Sequence, residues 1–190
     1  MKRKKVDAHF ITRSVEKGKI MNKKIYAFID SQNLNLGTSK DITKQGRIIY
    51  KGWKLDFKKF RRYLTDKFRV DKAFLCIGYI RQNEKLYKQL KSFGYDLVFK
   101  PTVKDHQGKS KGNVDAELVL HAAAVEFSEY DKAVVASGDG DFYCLYEFLE
   151  KNKKLFKIII PNRKSESSLL AKFQNYKIFL IREKDKLERK

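Results

Sequence analysis

The sequence predicts an α/β domain built as three layers, helices over a sheet over helices, with a mainly parallel sheet. Three observations predict it. Short apolar runs suited to buried strands recur along the chain, segments of helical periodicity separate them, and only 2 Pro and 10 Gly interrupt 190 residues. Strands alternating with helices of this length imply parallel crossovers with both sheet faces covered. The length suits one domain with a proper core. A 42% hydrophobic and 13% aromatic composition is that of a globular chain.

Residues 1–22 read as a basic N-terminal arm, either disordered or packed as a short helix. Seven basic and two acidic residues give it a net +5, and no period is sustained, so it carries no assigned chemistry. The domain proper spans 23–182. Residues 24–30 (KIYAFID) form a first strand buried on both faces. A long polar loop follows, in which 37–53 is a lid or substrate loop. Asp56 caps a helix that places Phe57, Phe60, Leu64 and Phe68 on one stripe. Residues 73–80 are the second strand. Asn83 caps a helix that turns Leu86, Leu90 and Phe93 inward and stops at Gly94, where a glycine suits the left-handed end. Residues 95–100 are the third strand, ended by Pro101. A basic loop leads to one long helix over 114–127. A fourth strand (132–137), a helix (142–152), a fifth strand ended by Pro161 (156–160), a helix (165–173) and a last strand (177–181) complete the domain. Residues 183–190 are a charged tail, expected to stay exposed as a helix or to fray.

No apolar run approaches the ~20 residues of a membrane span. The basic N-terminus lacks the apolar stretch of a secretory signal. Cys76 and Cys144 lie in apolar segments and read as buried, reduced thiols, so the expected location is cytoplasmic. Charge says more. Lys+Arg 43 against Asp+Glu 23 leaves +20, which attracts polyanions because each neutralised phosphate releases condensed counterions. Nucleic acid is the leading partner class; a Lys-biased composition scattered over solvated faces is the plainer alternative.

In open α/β sheets, ligands bind beyond the carboxyl ends of the strands, near the switch in strand order. Asp30 ends the first strand. Asp139 and Asp141 lie just past the fourth, in Ser137-Gly138-Asp139-Gly140-Asp141-Phe142, and Asp115 opens the helix leading into that strand. If the first and fourth strands are neighbours, all four carboxylates converge. Two carboxylates ~4 Å apart repel by about 4 kcal/mol at an effective dielectric near 20. A divalent cation relieves this, and oxygen-only ligands favour Mg²⁺ or Mn²⁺ over Zn²⁺. No zinc-type Cys/His spacing is present, and His9, His106 and His121 are far apart. Gly138 and Gly140 bracket Asp139, allowing a tight turn and room for a phosphate. Each acid also has an ordinary role: Asp141 as a helix cap, Asp115 favouring a helix dipole, Asp30 as a turn residue. Those roles do not explain why acids flank the expected crevice in a chain short of acids.

The segments Phe28-Ile29-Asp30-Ser31-Gln32-Asn33-Leu34, Lys111-Gly112-Asn113-Val114-Asp115 and Val135-Ala136-Ser137-Gly138-Asp139-Gly140-Asp141-Phe142 occur in this order. Together they resemble the NYN domain of the PIN-like nuclease superfamily, in its LabA/DUF88 branch, over residues 23–182. The resemblance implies a Rossmann-like (PIN-like) sheet and Mg²⁺- or Mn²⁺-dependent cleavage of RNA. By position, Asp30, Asp115, Asp139 and Asp141 match the acidic quartet, and Asn33 and Ser137 its polar helpers. The family often has Gly where this chain has Ser31, and the stretch before Asp115 also departs from its common pattern. PIN-like domains often pair, which makes a homodimer one possible assembly, and the sequence itself leaves the oligomeric state open.

The mechanism this predicts is phosphodiester hydrolysis. Cations held by Asp30, Asp139 and Asp141 polarise the scissile phosphate and activate a water, with Asp115 completing the set. Lys104, Lys109 and Lys111 before Asp115, and Arg163 and Lys164 after the fifth strand, are the expected phosphate contacts. Lys40, Lys44, Arg47 and Lys51 decorate the early loop, where Tyr50 and Trp53 either stack on bases or pack beneath it. The rival is a non-catalytic RNA-binding protein on a PIN-like scaffold. A phosphatase with a nucleophilic Asp and a second Asp two residues on is excluded by Asp30-Ser31-Gln32.

Overall fold

The computed structural model describes residues 23–100, 103–104, 110–111 and 114–190. The predicted N-terminal arm lies outside the described residues. Ten strands are described: β1 Ile25–Asp30, β2 Ile42–Lys44, β3 Arg47–Tyr50, β4 Lys72–Gly78, β5 Asp96–Lys100, β6 Val103–Lys104, β7 Ser110–Lys111, β8 Lys132–Ala136, β9 Leu155–Ile160 and β10 Lys177–Phe179. The helices are α1 Ser31–Ser39, α2 Phe57–Phe68, α3 Glu84–Ser92, α4 Val114–Leu120, α5 Tyr143–Lys151 and α6 Lys184–Leu187. Six strands form one sheet in the order β10-β9-β8-β1-β4-β5, every pair parallel. The chain runs from β1 outward through β4 and β5, then returns to the other side of β1 with β8. The strand order therefore reverses between β1 and β8, where a ligand crevice is expected.

Side chains alternate across β1 and divide the core in two. Ile25, Ala27 and Ile29 join Phe60, Leu64, Leu75 and Leu90 under α1, α2 and α3. Tyr26 and Phe28 face the other way, onto Phe74, Leu118, Val135 and Tyr146 under α4 and α5. Phe28 stacks on Phe74 with centroids 5.4 Å apart. Each fully buried Leu, Ile or Phe contributes about 1.5–3 kcal/mol, and both faces are covered, as an all-parallel sheet requires. Among the described residues no helix is long and apolar enough to cross a membrane.

Several elements match their sequence patterns. Asp56 caps α2 by accepting the Lys59 N–H at 3.0 Å, and Gly94 takes the left-handed φ of +89°. Others differ. The expected loop after β1 is the helix α1 followed by the β2–β3 hairpin. Its turn holds Gln45 and Gly46 at φ 50° and 73°, the pair of positive angles a type I′ hairpin needs. Tyr50 and Trp53 are buried core residues rather than stacking platforms, with Tyr50 Oη donating to the Thr38 carbonyl at 3.0 Å. In α3 it is Tyr87 that joins Leu90 in the interior, while Leu86 is exposed, and Asn83 makes no side-chain cap. The predicted helix 114–127 is shorter, passing into a π-helical turn over His121–Val125. The predicted helix 165–173 is replaced by 3₁₀ segments over Arg163–Ser165 and Ser168–Tyr176, with extended backbone between them. The charged tail docks: Leu187 is buried in the core, and the Arg189 N–H bonds the Lys54 carbonyl. Cys76 is buried, its thiol pushed up to about 12 mainly by desolvation, but Cys144 is exposed because it falls on the outer face of α5.

Candidate active site

A cleft of about 480 Å³ opens at the carboxyl edge of the sheet, at the β1/β8 switch. Asp30, Asp115 and Asp139 line one part of it, and Asn33, Lys40 and Asn162 line another. Asp30 is the last residue of β1 and only 4% exposed. Its Oδ1 accepts the N–H groups of Gln32 and Asn33, both at 3.0 Å, so the residue also caps α1. That helix is weakly amphipathic and rich in Ser, Asn and Gly; the cap and the burial of Leu34 and Thr38 hold it in place. Both capping bonds fall on Oδ1, leaving Oδ2 without a capping bond.

The loop after β8 is tied to α1. Asn33 Oδ1 accepts the Gly138 N–H at 2.9 Å, Ser137 Oγ accepts the Asp139 N–H at 3.2 Å, and Asp139 Oδ1 accepts the Asp141 N–H at 3.1 Å. Asn33 and Ser137 thus hold backbone that positions Asp139, and Asn33 also lines the cleft. The cap of the Gly140–Phe142 turn is Asp139 rather than Asp141. Asp141 is exposed and stands outside the cleft wall. Gly140 does not leave room for a phosphate: a Cβ there would lie 2.4 Å from Ser167 Oγ. The Ser167 loop packs directly on it, with the Ser167 N–H donating to the Gly138 carbonyl.

The acids feel one another. Burial first, then repulsion from Asp115 and Asp139, lifts the Asp30 carboxyl to about 6 against the pull of the Asn33 and Gln32 N–H groups. Asp115 is also raised, chiefly by desolvation, then by Asp139 and Asp141. Lys100, at the end of β5 and 5% exposed, partly offsets this. Burial draws its ammonium pKa down while Asp115, Glu117 and Asp30 oppose. Neither Lys100 nor Asn162 stands out in the sequence, because only the strand order brings them to this edge.

Among the described residues no three Asp, Glu, His or Cys side chains close around a point as a ready-made cage. Mg²⁺ keeps several waters and is commonly held through one or two carboxylates, so an open wall of mutually repelling oxygen donors fits such an ion. His121 lies against Phe74 instead, 6.0 Å between rings. Arg163 packs over the Phe179 ring at 5.5 Å, and Lys164 is exposed beside it. Lys51 is paired with Asp41 at 2.9 Å. Lys109 and the side chains of Lys104 and Lys111 lie outside the described residues.

A parallel α/β sheet with clustered carboxylates at its switch point defines a Rossmann-like domain with a site suited to cations and phosphates. The chain belongs to the NYN domain family, of the PIN-like nuclease superfamily, whose description matches residues 24–180. The crystal structure of a protein of unknown function from Vibrio parahaemolyticus is similar in fold, with a TM-score of 0.63 and 21% identity, covering 88% of this chain and 96% of that one. No curated protein matches the chain. NYN domains are nuclease-type domains that commonly use divalent metals and engage nucleic acid.

Proposed function

We propose that the protein is a metal-dependent endonuclease that hydrolyses phosphodiester bonds of single-stranded RNA, with Mg²⁺ or Mn²⁺ as cofactor. One observation carries the reading. Three carboxylates from β1, α4 and the loop after β8 line a single cleft, and burial together with the neighbouring negative charges raises the pKa values of Asp30 and Asp115 above the ordinary carboxylate value. Leaving such a cluster without a cation is electrostatically costly.

A bound divalent ion would supply Lewis-acid polarisation of the phosphate and a water activated near neutral pH. The chain's own residues do the rest. Asp30 Oδ2, Asp139 and Asp115 offer the oxygen donors. Asn33 and Ser137 keep the Asp139 loop in register with β1. Asp141 sits outside the cleft wall, where its charge adds to that of Asp115. Lys100 offsets part of the negative charge from the β5 side. Lys40 on the cleft wall and the exposed Lys164, with Arg163, Lys104, Lys109 and Lys111, are the proposed phosphate contacts, consistent with the net +20. The test is incubation of labelled single-stranded RNA and matched DNA with Mn²⁺, Mg²⁺ or EDTA, beside Asp30→Asn. Metal-dependent cutting of RNA that the variant loses supports the reading, and cleavage in EDTA or by the variant overturns it.

A further inference from the structure

The aromatic residues expected to stack on bases, Tyr50 and Trp53, are buried, but another aromatic pair is exposed on the same edge of the sheet as the cleft. Tyr79 follows directly on β4 and is 43% exposed; Phe99 is the penultimate residue of β5 and is 36% exposed. Strands β4 and β5 run parallel to β1, with Cys76 level with Asp30 and Val98 level with Cys76. Phe99 therefore lies one residue beyond the level of Asp30 and two strands across, about 10 Å at ~4.8 Å per strand. Tyr79 lies three residues beyond that level, on the strand between them.

The pair rests on a fixed support. The two rings meet edge to face with centroids 5.5 Å apart. Both pack on Tyr87 of α3, at 5.8 Å and 4.8 Å, and Tyr87 is buried. Its hydroxyl pins the backbone that carries Tyr79, accepting the Ile80 N–H at 2.7 Å and donating to the Gly78 carbonyl at 3.1 Å. The Tyr79 N–H in turn donates to the Lys100 carbonyl at 3.2 Å. With a buried ring behind them, Tyr79 and Phe99 present their open area outward. Arg81, Lys85 and Lys88 are exposed on the segment that follows, with a single acid, Glu84, among them.

Aromatic rings held out in water beside cations suit unpaired bases, because every base has a face to stack and a phosphate to neutralise. An apolar patch next to an edge strand also suits a second copy of the chain. That copy would bring another net +20 to a basic rim, whereas a polyanion brings the opposite charge. Resting on the nuclease reading of the cleft, we infer that Tyr79 and Phe99 are a base-stacking platform for single-stranded RNA that runs from the cleft across the ends of β4 and β5. A duplex, whose bases are already paired and stacked, gains nothing from it.

The experiment uses the full chain carrying Asp30→Asn, so that substrate is not consumed, and fluorescence anisotropy with a labelled single-stranded RNA oligonucleotide at several salt concentrations. Tyr79→Ala removes one ring, and Phe99→Leu removes the other while keeping apolar bulk against Tyr87. Each should weaken binding about fivefold or more, the scale of one lost base–aromatic stack. Tyr79→Trp keeps a flat face and should bind at least as tightly as the tyrosine. The salt dependence should keep its slope, because no charge is removed, and an RNA duplex of the same length should bind all the variants alike. Unchanged affinity in both ring-removing variants, or an equal loss for duplex and single strand, overturns the proposal. So does a fall in mass by light scattering with RNA affinity unchanged, which would mark the patch as a contact between copies. Ring-dependent binding in a protein whose Asp30 form cuts nothing would retain the platform and reject the nuclease reading; metal-dependent cutting with ring-independent affinity would do the reverse. No RNA binding at all would reject both.

Discussion

Replacing Asp30 by Asn should stabilise the protein in EDTA at pH 8 and remove its response to Mg²⁺. Asp30 is 4% exposed, and burial with repulsion from Asp115 and Asp139 raises its carboxyl from 3.8 to about 6. The native state thus holds this proton more tightly than the unfolded chain. Stability from this group is fully present below about pH 4 and is lost as pH rises through about 6. A difference near two units corresponds to about 3 kcal/mol at 1.36 kcal/mol per unit. Asn keeps an oxygen for the Gln32 and Asn33 N–H groups, but a neutral acceptor is weaker than a carboxylate, which trims the gain to about 1–3 kcal/mol. For a domain of roughly 150–250 residues each kcal/mol moves Tm by about 2–4 °C, so a rise of roughly 2–12 °C is expected. Thermal melts followed by circular dichroism at pH 4 and pH 8 read it directly. The variant should exceed wild type at pH 8 and converge with it at pH 4. With 10 mM Mg²⁺, about the scale needed to fill a weak site, only wild type should gain. Equal or lower Tm for the variant at pH 8 would refute the reasoning and leave Asp30 as a helix cap alone.

Asn33→Ala removes the acceptor of the buried Gly138 N–H and should cost about 1–3 kcal/mol, with a fall in any nuclease activity; an unchanged urea midpoint would contradict this. Gly140→Ala drives a Cβ into Ser167 Oγ at 2.4 Å and Leu169 Cδ1 at 3.0 Å. Overpacking of that kind costs about 1–3 kcal/mol, and Ser167→Gly should restore part of it in a double-mutant cycle. Mn²⁺ affinity measured calorimetrically should climb as pH rises toward about 6, where Asp30 loses its proton, and then level off. An affinity flat from pH 5 to pH 8 would exclude Asp30 as a ligand.

The strands were legible because an all-parallel sheet buries both faces of each, leaving apolar runs such as KIYAFID and KIII. The acids at the ends of β1 and β8 were legible for the same reason, since the end of a run marks the edge of the sheet. Helix α1 was not. Its Ser, Asn, Gly and Thr have low helix propensity, and what holds it is a cap from the preceding strand and tertiary burial of Leu34 and Thr38. The β2–β3 hairpin had a readable signal, Gly46 between β-branched residues, but Gln45 is an uncommon partner for a positive-φ pair. Asn162 reaches the cleft from β9 and Lys100 comes near its acids from β5, on opposite sides of β1. Nothing local distinguishes them from other loop-edge polar residues. Gly140 looked like a phosphate gap because the close approach of Ser167 is a contact from 27 residues away in the chain.

The carboxylates of this cleft would hold a divalent cation whose chemistry would be phosphodiester hydrolysis. Analysis of the termini left on cut single-stranded RNA tests it most directly. The account predicts 5′-phosphate and 3′-hydroxyl ends, formed only with Mg²⁺ or Mn²⁺ present and lost in Asp139→Asn. A 2′,3′-cyclic phosphate, or ends of any kind produced in EDTA, would contradict it.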